Sequence, residues 1–546
     1  MDNISILIGG KAGDGIDKSS LIIGHILAQL GYRVYIYRDY PSIIRGGHTF
    51  SIVRCCRDTI ATHLDSVDVL LALNQDSLDL HKSRLNTGSL IVYDSTSVKS
   101  DKGTGIPIGL IIKESGAIDI MRNSCMIGAM CKALGIGKDI LEDVFRKNIS
   151  REIDLNLKVA FLGFDEAKES VRIEKLKQKA LPLITGSEAL GLGLIKTGLN
   201  AYISYPMTPS SGILHFLAGV SEKFSLKVIH PENEIGVMLM AAGFAYAGER
   251  TAVGTSGGGF CLMTEGFSLC GMAELPVVVL LGQRPGPSTG LPTYTGQTEL
   301  NFALSAGQGE FTRFITAPGD AEEAYYWSGV SMNLAWKYQV PAIILCDKTL
   351  NEGTYSFDIE SIREIDAGGP LLWDKAGIYQ RYKNTRDGVS PLAFPSDKDA
   401  IVKVNSYEHD ESGITTEDSH LTIAMQDKRL GKEKYLLKEL EHYETVKVYG
   451  RKDASTALLF WGSNKGPCVE AGSKLGLRVV QPLVFSPFPS RRVKEALQGV
   501  KRIICVENNA TGQMADFLKC RGINVDQRIL KYDGRPFTPM ELEQKL

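Results

Sequence analysis

Short apolar runs alternate with longer stretches of helical spacing along most of the chain. Residues 4–8, 33–37, 51–53, 69–73 and 90–93 are runs of the first kind, and they read as strands. Residues 19–30 have an amphipathic helical pattern, so the chain opens strand, helix, strand. A second set starts near residue 180; its run Leu-Pro-Val-Val-Val-Leu-Leu at 275–281 is too apolar to be anything but a buried strand. Residues 321–336 read as a helix, and 340–347 as the strand after it. From 361 to 450 the pattern weakens into turns and one charged run, 428–447, that reads as a helix. Strand-like runs return at 457–461, 478–483 and 502–506. This alternation predicts a multidomain α/β protein with parallel sheets.

Four polar segments each follow a strand-like run. They are Tyr205-Pro206-Met207-Thr208-Pro209-Ser210-Ser211, Glu232-Asn233-Glu234, Thr255-Ser256-Gly257-Gly258-Gly259-Phe260, and Arg284 through Gly290. In an open parallel sheet, such loops gather at the carboxyl edge, where ligands bind. Arg284 has a planar fork that suits a carboxylate, with Ser288 and Thr289 beside it; the alternative is a pairing with a structural acid. Glu234 starts an apolar, small-residue helix with little polar face, which points its carboxylate toward an interface. Glu232 is its rival, and an ordinary helix-start carboxylate is the plain alternative.

Composition narrows the class. A chain of 546 residues, 43% hydrophobic and 23% charged, is long enough for about three or four domains and is ordinary for a soluble protein. A net charge of −2 gives no electrostatic case for nucleic acid or an anionic membrane. No apolar run approaches a membrane span, and the start lacks a signal-peptide pattern, so a cytoplasmic address is expected. The ten cysteines contain no C-x-x-C, which argues for structural thiols and against a metal or cluster held by this chain. Gly10, Gly13 and Gly15 have the wrong order for a dinucleotide fingerprint and read as turn glycines. The turn from Arg45 to Thr49 is basic, and its His48 could be read as catalytic. The charged stretch 165–179 reads as a joining helix or linker, and 307–311 as a loop able to close over the site. His409, Asp410 and Glu411 are adjacent and would point apart, a poor metal set.

With Gly186-Ser187-Glu188-Ala189, the four polar segments resemble the alpha subunit of 2-oxoacid:ferredoxin oxidoreductases, in order over nearly the whole chain. The first 178 residues resemble the gamma subunit of the same enzymes, fused in front, which implies that the turn from Arg45 to Thr49 packs domains together and that His48 is structural. The resemblance implies a gamma-type α/β module at 1–178, a pyrimidine-type thiamine diphosphate domain at 179–360, a connecting segment at 361–450 and a transketolase carboxyl-terminal-like domain at 451–546. It implies oxidative decarboxylation of a 2-oxo acid, 2-oxoglutarate favoured, with coenzyme A as co-substrate and ferredoxin as acceptor. Glu234 becomes the carboxylate on the cofactor's aminopyrimidine, Thr208 faces the reacting centre, and Arg284 with Ser288, Thr289 and Thr208 holds the substrate. Gly257, Gly258 and Phe260 join Glu234 and Thr208 as cofactor contacts. The chain lacks a diphosphate/Mg²⁺ loop and any cluster motif. Both would lie on a beta subunit sharing the cofactor, in a heterotetramer of two chains of each kind. Met207, Gly212 and Pro285 depart from the family's usual residues; Gly212 and Pro285 border the pocket and leave substrate choice open. A different thiamine-dependent decarboxylase or carboligase, and a non-catalytic scaffold subunit, are the other classes.

Overall fold

A computed structural model describes residues 3–42 and 46–546. Arg45, the first residue of the turn singled out above, lies outside the described residues, as do Ile43 and Ile44 before it. The chain forms two compact units. One holds the residues up to Ile184 with Glu352–Asp358 and Thr538–Gln544; the other holds Thr185–Asn351, Ile359–Phe537 and the last two residues.

The first unit is built on an eight-stranded mixed sheet. Its central strand, Asn3–Lys11, pairs parallel with Val67–Ala72 on one side and antiparallel with His48–Cys56 on the other. Arg33–Asp39 pairs with the far side of His48–Cys56, so a third strand divides the opening strand-helix-strand unit. Thr354–Ser356 adds to the edge at Arg33–Asp39 through chain that lies far downstream in sequence. Gly13 and Gly15 both take positive φ, the turn role expected of them. His48 Nε2 lies 2.8 Å from His81 Nε2, and burial lowers the pKa of both rings, His81 to about 3. The pair is two neutral imidazoles in mutual contact. The helix Ile153–Glu166 ends where the charged stretch begins. The N–H groups of Ser170, Val171 and Ile173 go to the carbonyls of Ala133 and Leu134, so this stretch is an irregular linker instead of a helix.

The second unit carries two sheets. The seven-stranded one runs Val484–Ser486, Phe314–Thr316, Ala342–Asp347, Val277–Gln283, Thr251–Ser256, Ala201–Ser204, Lys227–Ile229. All neighbours are parallel except the first pair. Parallel strands require crossovers, and helices supply them. The central strands are buried on both faces, which is why 275–281 carries no polar position. The five-stranded sheet is centred on Thr456–Phe460.

The helix Ser419–Glu439 packs against the helix Ala321–Tyr338, is capped by Asp418 and starts well before the charged run that marked it in sequence. The Asp418 side chain accepts from two N–H groups and fixes the start; beyond Glu439 the chain turns into the strand Val446–Gly450. His409 Nδ1 contacts the Tyr407 carbonyl, Asp410 accepts from Ser412 and Ile414, and Glu411 accepts from Asn384, so the three do point apart. Among the described residues no His, Cys, Asp or Glu cluster could hold a metal, and no helix is long and apolar enough to cross a membrane.

Candidate active site

Three adjacent parallel strands end side by side: Ala201–Ser204, Thr251–Ser256 and Val277–Gln283. The segments leaving these strand ends form the candidate site. The Ser204 hydroxyl donates to the Gly254 carbonyl at 2.8 Å, fixing the first two ends together. The chain then folds tightly: the Ser210 N–H and hydroxyl donate to the Met207 carbonyl at 2.8 and 2.7 Å, and the Thr208–Pro209 peptide is cis. Pro209 lies across the end of the third strand, where a Cβ on Gly282 would come 3.1 Å from its ring. Arg284 is 9% exposed and donates from Nη1 to the Thr208 carbonyl at 2.9 Å. The structure therefore joins Thr208 and Arg284 directly, through the backbone of the threonine.

Glu234 opens the helix Glu234–Tyr246, whose cap is Asn233, accepting from the Gly236 N–H. With the capping position taken, the Glu234 side chain turns inward and is 4% exposed. Among the described residues nothing hydrogen-bonds its carboxylate. It lies against the first turn of the helix Gly257–Met272: a Cβ on Gly259 would stand 2.7 Å from Glu234 Oε1 and 2.2 Å from Thr255 Oγ1. Glycine at 259 is thus a requirement of close approach. Gly258 is exposed, and its nearest neighbour would be the Ser288 carbonyl at 3.8 Å. Phe260 is fully buried, edge-on to Phe267 and Phe302, and belongs to the core beneath this turn. Ser288 and Thr289 lie on an exposed loop after the cis Gly286–Pro287 peptide. The loop at 307–311 stands elsewhere: Phe311 packs on Gly271, at the opposite end of the glycine helix, so it does not close over this edge.

A further acid was not visible in the sequence pattern. Glu299 is 8% exposed, with its Oε1 over the start of the glycine helix, 2.5 Å from where a Cβ on Gly257 would be. Burial raises its carboxyl to about 7, against the opposing pull of the Thr298 hydrogen bonds and the Arg284 charge. Burial also lowers the Arg284 guanidinium, with Glu299 pulling the other way. Glu299 Oε2 and Arg284 Nε are both buried without hydrogen-bond partners. The first turn of the glycine helix is therefore common ground. Glu234 meets it at Gly259, Glu299 at Gly257, and Arg284 stands beside Glu299 while bonded to Thr208.

Comparison with known proteins identifies the family of the chain. The family described as "Pyruvate flavodoxin/ferredoxin oxidoreductase, thiamine diP-bdg" matches residues 192–428, and "Pyruvate ferredoxin/flavodoxin oxidoreductase" matches residues 5–166. The 2-oxoacid:ferredoxin oxidoreductase subunit alpha of Saccharolobus solfataricus is 31% identical, over 99% of this chain and 97% of that one. The 2-oxoglutarate oxidoreductase subunit KorA of Mycobacterium tuberculosis is 25% identical, over 99% and 91%. In three dimensions the fold matches 2-oxoglutarate:ferredoxin oxidoreductase from Magnetococcus marinus, solved with 2-oxoglutarate, coenzyme A and succinyl-CoA bound. The TM-score is 0.91 at 27% identity, covering 100% of this chain and 99% of that one. The chain belongs to the family of 2-oxoacid:ferredoxin oxidoreductase alpha subunits.

Proposed function

We propose that this chain supplies half of a thiamine diphosphate site and the substrate clamp of an enzyme that oxidatively decarboxylates a 2-oxo acid. Coenzyme A and ferredoxin are the other reactants; acyl-CoA, carbon dioxide and reduced ferredoxin are the products. The observation that carries this reading is a buried carboxylate, Glu234, set against a helix turn stripped of side chains. Gly259 lets the acid approach, and Gly258 beside it is exposed, with backbone alone facing outward at that position. That donor set fits the aminopyrimidine of thiamine diphosphate. When bound, the cofactor supplies a nucleophilic carbon and an electron sink for the decarboxylation.

The residues of this chain then have distinct tasks. Glu234 would accept a hydrogen bond from the pyrimidine ring and hold a proton there. Gly257 and Gly258 would line the cofactor with backbone, and Phe260 would act from below by fixing the turn through packing. Thr208 would present its hydroxyl beside the Arg284 fork. Arg284, with the hydroxyls of Ser288 and Thr289, would seat the substrate carboxylate bidentately. We favour 2-oxoglutarate as substrate, because the Magnetococcus marinus enzyme that the fold matches is named for it.

In this proposal a beta subunit brings the rest of the cofactor site, Mg²⁺ and a 4Fe–4S cluster, in a two-plus-two assembly. An exposed apolar face supports a partner there: Ile235, Leu239 and Met240 on the Glu234 helix are 46%, 48% and 45% exposed, and Leu262 on the glycine helix is 50% exposed. A cytoplasmic address fits ten cysteines that form no disulfide. The finer division at 178, 360 and 450 is part of the same reading. The test is to assay this chain, alone and assembled with its partner, on 2-oxoglutarate, pyruvate, branched-chain and aryl 2-oxo acids with coenzyme A and a viologen. Activity is expected only from the assembly. Decarboxylation by the isolated chain would overturn the division of labour, and activity independent of coenzyme A would overturn the reaction.

A further inference from the structure

Glu299 stands beside Arg284 in surroundings that suit a neutral acid. Its Oε1 lies 2.7 Å from Thr298 Oγ1, and the same hydroxyl lies 3.1 Å from the Arg284 carbonyl. Thr298 thus faces two acceptors with one proton to give. Both contacts are satisfied together when Glu299 carries a proton: its O–H donates to Thr298 Oγ1, whose own proton goes to the Arg284 carbonyl. Oε2, buried and unpartnered, points the same way, because an ionised oxygen without a donor costs far more than a neutral one.

The charged groups that act on Glu299 come from two neighbouring strand ends. Arg284 follows Val277–Gln283 and favours ionisation; Asp347 ends Ala342–Asp347 and opposes it. Uncharged Gln283 faces it as well, its Oε1 accepting from the Glu299 N–H at 3.2 Å. Among the described residues Arg284 makes no direct ion pair with Glu299, and Arg284 Nε is left without a partner. An ionised Glu299 would repel a second carboxylate arriving at that guanidinium and compete for it. A protonated one would do neither.

We propose that Glu299 is a positioning residue that holds a proton while a 2-oxo acid carboxylate is seated on Arg284, so that acid and proton bind together. This rests on Arg284 being the carboxylate clamp.

The test uses the assembled complex and two non-reacting 2-oxo acid mimics, oxamate and N-oxalylglycine. Each is titrated calorimetrically in two buffers of different ionisation heat, at about pH 6 and about pH 8, to count protons taken up on binding. Uptake close to one proton is expected at the higher pH and little at the lower. Glu299→Gln, which has the shape of the protonated acid, should bind with none at either. In parallel, KM for the 2-oxo acid that is turned over should rise by up to about tenfold per pH unit above neutrality in the wild type and stay flat in Glu299→Gln, with the two kcat values moving together. Binding without proton uptake at the higher pH, equal uptake in the variant, or a wild-type KM flat with pH overturns the proposal while leaving the enzyme reading intact. Failure of both mimics to bind, together with no turnover of any 2-oxo acid, overturns the enzyme reading itself.

Discussion

Two buried groups of charge stand in the same unit and are built on opposite terms. In one, Glu274 meets Lys428 and Lys432, all about 1% exposed or less at the side chain. Lys428 Nζ donates to both carboxylate oxygens at 2.6 and 2.8 Å, and Lys432 Nζ donates to Oε2 and, at 3.2 Å, to the Gln339 carbonyl. Arg381 closes the group by donating to the carbonyls of Ala273 and Glu274. In the other, Arg284 and Glu299 lie at the carboxyl edge with a buried donor and a buried acceptor left open. Burial alone does not separate structure from function here. What distinguishes these two groups is that the charges of the first are paired with one another, while Arg284 Nε and Glu299 Oε2 are left for something else to complete.

The largest expected effect tests the closed group. Glu274→Ala leaves two lysines and an arginine with no counter-charge, and should cost about 3–5 kcal/mol in denaturant unfolding of the assembled complex. A loss below about 1 kcal/mol would mean that these charges are hydrated and do not fasten the Ser419–Glu439 helix to the unit. Next comes the open site. Glu234→Gln keeps the volume and should lower turnover by about 10²-fold or more, with unfolding shifted little. If it unfolds the protein as Glu274→Ala does, Glu234 belongs with the structural charges and the contrast is void.

The contrast also explains what the sequence could tell. Parallel order was legible because a strand buried on both faces, such as Val277–Gln283, is apolar until its last residue, and its loops must then share one edge with those of its neighbours. Glu234 stood out because the helix it opens is apolar with little polar face; the structure adds that Asn233 takes the cap and leaves the glutamate free to turn inward. Glu299 was hidden by the same logic: an acid just before the short helix Leu300–Ser305 looks like a cap, yet its side chain makes no capping bond. The Ser419–Glu439 helix began earlier than its charged run implied, since Lys428 and Lys432 are core residues there, and charge marks a solvated face only when no buried acid awaits it. Nor could sequence periodicity place Glu352–Asp358, because a late segment adding to an early sheet is a long-range pairing.

A smaller effect sharpens the open side. Arg284→Lys keeps a positive charge but loses the fork, and should lower kcat/KM by about tenfold to a hundredfold, the worth of one charge-assisted hydrogen bond. The loss should fall mainly on KM, and an unchanged KM would show that the substrate carboxylate is seated elsewhere.

The smallest effect is a pH slope, and the two groups should tilt it in opposite directions. Burial raises Glu299 from 4.5 to about 7, so the folded protein binds more protons than the unfolded chain between those values. Stability from this group is full below 4.5 and is lost as pH rises through about 7. Burial lowers Lys432 from 10.5 to about 7 despite the pull of Glu274, so over that upper range the unfolded chain binds more protons. Stability from this group therefore grows as pH rises from about 7 toward 10.5. Unfolding followed by denaturant across both ranges should show Glu299→Gln flattening the acid-side decline and Lys432→Met flattening the alkaline-side rise, each leaving the other limb in place. If either substitution changes the wrong limb, the proton on that side of the contrast has been assigned to the wrong group.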